Sequence, residues 1–207
     1  MIKEPIIRNI FPVPIYVSQM ERKFSKKENV YFFESKKDLL RNYGNKSTKN
    51  RDVLNTRDLK NLKIILEDHL KKYFRDVLRS KNTSKPYITQ SWINYTDKGE
   101  FHHEHTHPNS YLSGVLYLNT TDKDRITFHK TENEQIQFAV EEYNTFNSIM
   151  WHIPVKQGMI IIFPSSLKHS VERVMEKDTR ISLSFNSFVT GSIGDKVNLT
   201  ELKLWVY

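Results

Sequence analysis

Four of the chain's eight histidines fall within six positions, in Phe101-His102-His103-Glu104-His105-Thr106-His107-Pro108-Asn109-Ser110. Neutral imidazole is the commonest protein ligand for metals, so such a cluster has chemistry to offer. His105 and His107 stand at i and i+2, which puts both on one face of a strand because successive side chains alternate. A third imidazole, His169, follows the strand-like run Ile160-Ile161-Ile162-Phe163-Pro164-Ser165-Ser166, and Arg180 comes eleven positions later in Arg180-Ile181-Ser182-Leu183-Ser184-Phe185. Two close imidazoles, one distant imidazole and a trailing arginine suggest a mononuclear iron site that binds a dicarboxylate. Iron that activates oxygen needs a few firm protein ligands and open positions, and two histidines with a carboxylate are the usual set. Glu104 is poorly placed to supply that carboxylate. By parity His103, His105 and His107 share one face, while His102 and Glu104 share the other. The residues alone leave open a solvent-exposed loop and a zinc site, since three histidines also suit catalytic zinc. His69, His129 and His152 are expected to be surface or hydrogen-bonded core residues.

The elements that must position these groups change character along the chain. Residues 6–17 have the pattern of an edge strand limited by proline. Residues 20–52 are polar and lysine-rich and predict one helix plus loop, with a turn at Gly44-Asn45-Lys46-Ser47-Thr48. From Asp58 to Leu78, Leu59, Leu62, Ile65, Leu66, Leu70, Tyr73, Phe74 and Val77 recur at spacings of three and four, the signature of an amphipathic helix. After about residue 86 the period becomes two. Short strands are predicted at Tyr87–Tyr95, Tyr111–Asn119, Arg125–Phe128, Ile136–Val140, Ile149–Val155, Met159–Phe163, Ser170–Met175 and Arg180–Val189. Eight short strands behind a helix imply a mainly β chain: a double-stranded β-helix (jelly-roll) with an N-terminal helical annex. The expected organisation is a single domain over 1–207, with the annex at 20–86 and the catalytic core at 87–190.

Composition removes several other classes. At 207 residues with 38% hydrophobic and 12% aromatic content, the chain can bury a full core. It contains no cysteine, which excludes disulfides, thiolate metal sites, iron–sulfur clusters and a cysteine nucleophile. The N-terminus is broken by charges and prolines and does not have the form of a signal peptide, so a cytoplasmic location is expected, with no membrane partner. The net charge of +8 is scattered, with no basic block beyond Lys26-Lys27 and Lys71-Lys72, so a solvated surface is expected rather than a nucleic-acid site. Six glycines, none in a phosphate-cradling array, give no support to a nucleotide loop.

Several segments taken together, in order, carry a family resemblance. Trp92-Ile93-Asn94-Tyr95, Gly99 through Ser110, Ser113-Gly114-Val115-Leu116-Tyr117-Leu118, Gly158, Phe163 through Val171 and Arg180 through Asn186 resemble the 2-oxoglutarate/Fe(II)-dependent oxygenases of phage and marine bacterial type, in the prolyl 4-hydroxylase-like superfamily. The opening Phe11-Pro12-Val13-Pro14-Ile15-Tyr16 is similar to that family's start. The resemblance implies a hydroxylase with Fe(II) and the cosubstrate 2-oxoglutarate, using O2, releasing succinate and CO2, and acting on a peptide, protein or small molecule. It implies His105, His107 and His169 as metal ligands and Arg180 as the partner of the far carboxylate, with Ser182 on the same strand face. A planar guanidinium is the natural partner of a carboxylate. Asn94, Tyr95 and Tyr117 are implied as further contacts, although Tyr117 suits the core equally, and Trp92 and Phe185 are expected in the core. The chain departs from better-known members at His107, where they carry a carboxylate. Three neutral imidazoles leave iron its full charge until 2-oxoglutarate neutralises it. A cupin-like three-histidine enzyme that does not use 2-oxoglutarate, and a non-catalytic jelly-roll binding module, remain the alternatives. The annex is expected to cover the outer face of the sheet, and a channel wall or a homodimer contact are its other possible roles.

Overall fold

Strict alternation in four strands builds the two faces that matter. The computed structural model describes residues 4–80, 83–130, 136 and 138–205. Its strands are β1 (Tyr16–Gln19), β2 (Leu39–Arg41), β3 (Lys46–Thr48), β4 (Ser84–Thr96), β5 (His102–His105), β6 (Leu112–Asn119), β7 (Arg125–His129), β8 (Met150–Pro154), β9 (Met159–Pro164), β10 (His169–Val171), β11 (Arg180–Ile193) and β12 (Leu202–Leu204). Two helices, α1 (Lys26–Glu34) and α2 (Lys60–Tyr73), precede β4, and α2 runs on into a single wider turn over Phe74–Leu78. The larger sheet has the order β1-β9-β6-β11-β4-β3-β2, with β12 also on β11, and the smaller one has the order β5-β10-β7-β8. Two facing antiparallel sheets give the jelly-roll.

On β9 the odd residues Ile161 and Phe163 face the smaller sheet, packing with Tyr117, Ile126, Phe128 and Val155. The even residues Ile160 and Ile162 face the helices and join Leu62, Leu66, Leu70, Tyr73 and Phe74 in a second core. β11 follows the same rule, with Leu183 and Phe185 toward the helices and Arg180, Ser182 and Ser184 lining a cavity between the sheets. The amphipathic stripe of α2 therefore covers the outer face of the larger sheet. Each fully buried leucine there contributes about 1.5–3 kcal/mol by transfer, an upper value against a compact unfolded chain. Ser25 caps α1 with a reciprocal bond from Glu28, whose carboxylate is also held by Arg22 at 2.6 Å and 2.8 Å.

Gly114 shows how closely the sheet and its helical cover fit. It lies directly across from Phe185, and a Cβ on it would stand 2.1 Å from Phe185 Cζ. Gly114→Ala is expected to lower unfolding free energy by about 1–3 kcal/mol through overpacking, measured by urea denaturation.

Three sequence expectations change. The proline-broken N-terminal segment pairs only over β1, where Tyr16–Gln19 lies against β9. The 20–52 stretch is more than a helix and loop: β2 and β3 extend the larger sheet beyond β4, and Lys46–Thr48 is strand rather than turn. The reversal is at Gly44, whose φ of 97° suits glycine. Of the expected strand Ile136–Val140, residues 136 and 138–140 are irregular and Gln137 lies outside the described residues.

Candidate metal centre

Register between short strands brings the three histidines together. β10 lies between β5 and β7, with His169 directly opposite His105 on one side and Phe128 on the other. The His105 and His169 rings are 4.3 Å apart. His107 sits just past β5, where its backbone N–H donates to the Ser165 carbonyl at 2.9 Å. The chain then turns at Asn109, in the left-handed region at φ 58°. Ser110, Ser113, Ser165 and Asn186 interlock beneath the turn, with Ser113 Oγ 2.8 Å from Ser165 Oγ and 2.9 Å from Asn186 Oδ1. One ligand atom from each of His105, His107 and His169 lies within 4.8 Å of the others, a spacing that can hold one metal ion.

The tautomers suit ligation. His105 Nδ1 is 2.7 Å from the His103 carbonyl and His169 Nδ1 is 3.0 Å from the Leu167 carbonyl. A carbonyl only accepts, so Nδ1 carries the proton in each ring and Nε2 keeps its lone pair. Burial pushes the pKa of His107 down to about 4 and that of His169 to about 3, and neighbouring imidazoles add to the shift. His105 is lowered in the same way. Neutral rings are what a metal requires. In the metal-free protein these depressed values favour folding less as pH falls from the ordinary histidine value near 6.5, because the unfolded chain takes up protons that the folded one refuses. Apoprotein melting temperature is expected to drop between pH 7 and pH 4, with a slope approaching about 1.4 kcal/mol per pH unit for each such histidine.

Parity misplaced His102. The β5–β10 register shifts between His169 and Val171, and His102 consequently turns into the cavity. Its ring stacks on His105 at 4.4 Å and 19° and fixes that ring's plane from behind. His103 instead sits at the rim, its Nδ1 3.3 Å from the Tyr43 carbonyl. Glu104 points outward to Lys168 at 2.8 Å and His129 at 3.5 Å, so it is no ligand. His69, His129 and His152 are 2.8 Å from Tyr16, Ser170 and Thr127 hydroxyls respectively. The donor set is thus three neutral imidazoles, with no carboxylate among the described residues close enough to join the group.

The remaining predicted residues divide cleanly. Ser182 lies between Asn94 and Tyr117 in register across β4, β11 and β6, and all three line the cavity. Arg180 is opposite Thr96 in the next inward row, 4% exposed, with Nη2 3.3 Å from Thr96 Oγ1 and Nη1 3.7 Å from Asp124 Oδ1. Most of its five donors are left for a ligand. Tyr95 is a correction. As the neighbour of Asn94 it faces the opposite way, into the helical core, with its hydroxyl 2.7 Å from both the Phe32 carbonyl and Ser35 Oγ. Trp92 is a second correction, since it lines the cavity with its ring 5.9 Å from that of His107. Phe185 is core.

The cavity also satisfies a ligand test. Asn45 Oδ1 and Asn94 Oδ1 are buried without partners, and both residues line it. If either amide is turned over, the NH2 group faces the cavity as a donor. In Asn94 the oxygen would then accept from the Ser184 hydroxyl, now 2.9 Å from Nδ2. A buried guanidinium and amide donors fit a carboxylate, and three imidazoles fit a divalent metal. Asn45, His102 and Asp124 were missed by sequence reasoning. Asn45 and Asp124 occupy stretches that look like polar turns, and only the His102 ring carried a signal.

Comparison with known proteins agrees with this geometry. Residues 90–186 match the family model described as "Putative 2OG-Fe(II) oxygenase". No curated protein matches the chain. Among solved structures, an oxidoreductase of the 2OG-Fe(II) oxygenase family from Burkholderia pseudomallei is 15% identical, with TM-score 0.55 and 79% of each chain covered. HygX from Streptomyces hygroscopicus, with nickel, 2-oxoglutarate and hygromycin B bound, is 12% identical with TM-score 0.57, covering 84% of this chain and 82% of its own. A prolyl-4-hydroxylase from Pseudomonas putida is 12% identical with TM-score 0.54, covering 84% and 92%. At these identities the structures establish the jelly-roll fold. The matched segment carries every lining residue of the cavity except Asn45, so the family match and the candidate site fall on the same part of the chain, and together they support an oxidoreductase of the 2OG-Fe(II) oxygenase type with Fe(II) and 2-oxoglutarate as its cofactors.

Proposed function

We propose that His105, His107 and His169 hold Fe(II), that Arg180 binds the distal carboxylate of 2-oxoglutarate, and that Ser182, Asn94 and Tyr117 line that cosubstrate's path. The observation that carries this reading is a single cavity bounded by three convergent imidazoles and a buried arginine. Fe(II) with 2-oxoglutarate and O2 supplies the oxidising chemistry, in which the cosubstrate becomes succinate and CO2 and the substrate gains oxygen.

The protein's share is position and exclusion of water. The carbonyls of His103 and Leu167 fix the Nδ1–H tautomers of His105 and His169. Phe163, 4.6 Å from the His169 ring, dries the side of the centre facing the apolar core. Arg180 orients the dicarboxylate with donors that water cannot crowd. The product is a hydroxylated peptide, protein side chain or small molecule. The jelly-roll likeness to a prolyl-4-hydroxylase and to HygX supports both substrate classes. Residues 87–190 serve as the catalytic core of a single domain, with 20–86 its helical annex. No helix of the described residues is long and apolar enough to cross a membrane, and a cysteine-free chain suits the cytoplasm.

The test is an anaerobic titration of apoprotein with Fe(II) and then 2-oxoglutarate. A weak visible charge-transfer band is expected only when both are present. Bound metal without a band would favour the cupin-like three-histidine enzyme, and no bound metal would favour a binding module.

A further inference from the structure

The charges around the cavity do not add up unless a residue outside the predicted site is counted. A site with two histidines and a carboxylate carries one negative ligand, which balances the arginine that takes the cosubstrate. Here the ligand set is neutral, so Arg180 would stand as an uncompensated buried cation. Asp124 removes that imbalance. It is 6% exposed, with Oδ1 3.7 Å from Arg180 Nη1 and Oδ2 accepting from the Thr121 N–H at 2.8 Å. Its backbone is fixed too, since its N–H donates to the Thr121 carbonyl at 3.2 Å and its own carbonyl accepts from Val155 at 3.0 Å. With Thr96 at Nη2, Arg180 is held at two corners of its guanidinium plane. The donors not held in this way remain for a ligand.

We propose that Asp124 is the positioning residue of the cosubstrate subsite: it holds the Arg180 guanidinium in place and supplies the negative charge that the three-histidine centre lacks. This inference rests on the function proposed above. The protein groups then sum to zero, and a divalent metal with a dianionic 2-oxo acid also sums to zero. The filled site is neutral only with a dicarboxylate. Asp124 touches neither ligand, so its part in rejecting a 2-oxo acid that lacks the distal carboxylate is to aim the Arg180 donors at that carboxylate. Asp124 and Arg180 also line a pocket on the protein surface, beside Arg125 and Glu172, so small anions can reach the pair from solvent.

The experiment compares anaerobic, Fe(II)-loaded wild type, Asp124→Asn and Asp124→Ala by calorimetric titration with 2-oxoglutarate and with 2-oxopentanoate. Asparagine keeps an acceptor for the Thr121 N–H, so that variant is expected to fold even where alanine does not. In the wild type 2-oxoglutarate should bind at least about 100-fold more tightly than the monocarboxylate, the effect of two charge-assisted hydrogen bonds. Both variants should lose about tenfold of that preference with Fe(II) affinity unchanged, and acetate or formate should restore it in the alanine variant alone. A merely structural aspartate would change melting temperature without changing the preference, and acetate would not rescue it. An unchanged or increased preference in Asp124→Asn overturns the inference and leaves the proposed function standing. A wild type that binds Fe(II) but not 2-oxoglutarate overturns both.

Discussion

Alanine at His169 is expected to abolish stable Fe(II) binding while the protein stays folded. His169 is the most buried of the three imidazoles and the one supplied by the opposite strand, so its loss leaves two donors from one short segment. Loss of an outer-shell partner alone costs roughly 10–100-fold in metal affinity, and loss of a ligand should exceed that. The fold should survive, because the backbone pairing of β10 does not use the ring. The ring's Nδ1 bond is to Leu167, two residues away, and its packing is against Phe163 and Phe128. Truncation there leaves a void that can fill with water beside polar groups. Metal content after anaerobic desalting checks the prediction, with far-UV circular dichroism as the control. Stoichiometric iron in His169→Ala would remove the site assignment.

The convergence of the three histidines was legible because histidine is scarce elsewhere in the chain. The spacing of His105, His107 and His169 survives translation into space even though His107 sits beyond the end of its strand. His102 was not legible, because its direction depends on a register shift against β10 that no local pattern encodes. Tyr95 was a different kind of error. Alternation along Trp92-Ile93-Asn94-Tyr95 already forbids Asn94 and Tyr95 from facing one cavity, and Asn94 took the inward side. α2 was clear from its long apolar period, whereas β2 and β3 are three residues each and too polar to show a period. Asp124 lies in a Thr-Asp-Lys-Asp turn, and its meaning comes entirely from contact with a residue 56 positions away.

Arginine 180 carries the second large prediction, and it has two separable parts. In the proposed role, Arg180 is a bidentate, charge-assisted carboxylate partner worth about 3–6 kcal/mol, so in Arg180→Ala the 2-oxoglutarate affinity should fall by roughly 10²–10⁴-fold. The same change strands Asp124 as a buried anion without its cation, which costs about 3–5 kcal/mol of stability. For a chain of this size that corresponds to a melting temperature lower by about 6–20 °C. The Arg180–Asp124 pair at 3.7 Å thus makes this substitution costly to the fold as well as to binding. A paired replacement, Arg180→Met with Asp124→Leu, separates the parts. It removes both charges and fills their space with apolar atoms, an exchange that is often neutral or stabilising. The double variant should therefore recover most of the lost melting temperature while its 2-oxoglutarate affinity stays as low as in Arg180→Ala. Recovery of binding in the double variant would mean that the single variant lost the cosubstrate through a disturbed fold. A melting temperature that stays low in the double variant would mean that the stability lost in Arg180→Ala did not come from the stranded aspartate.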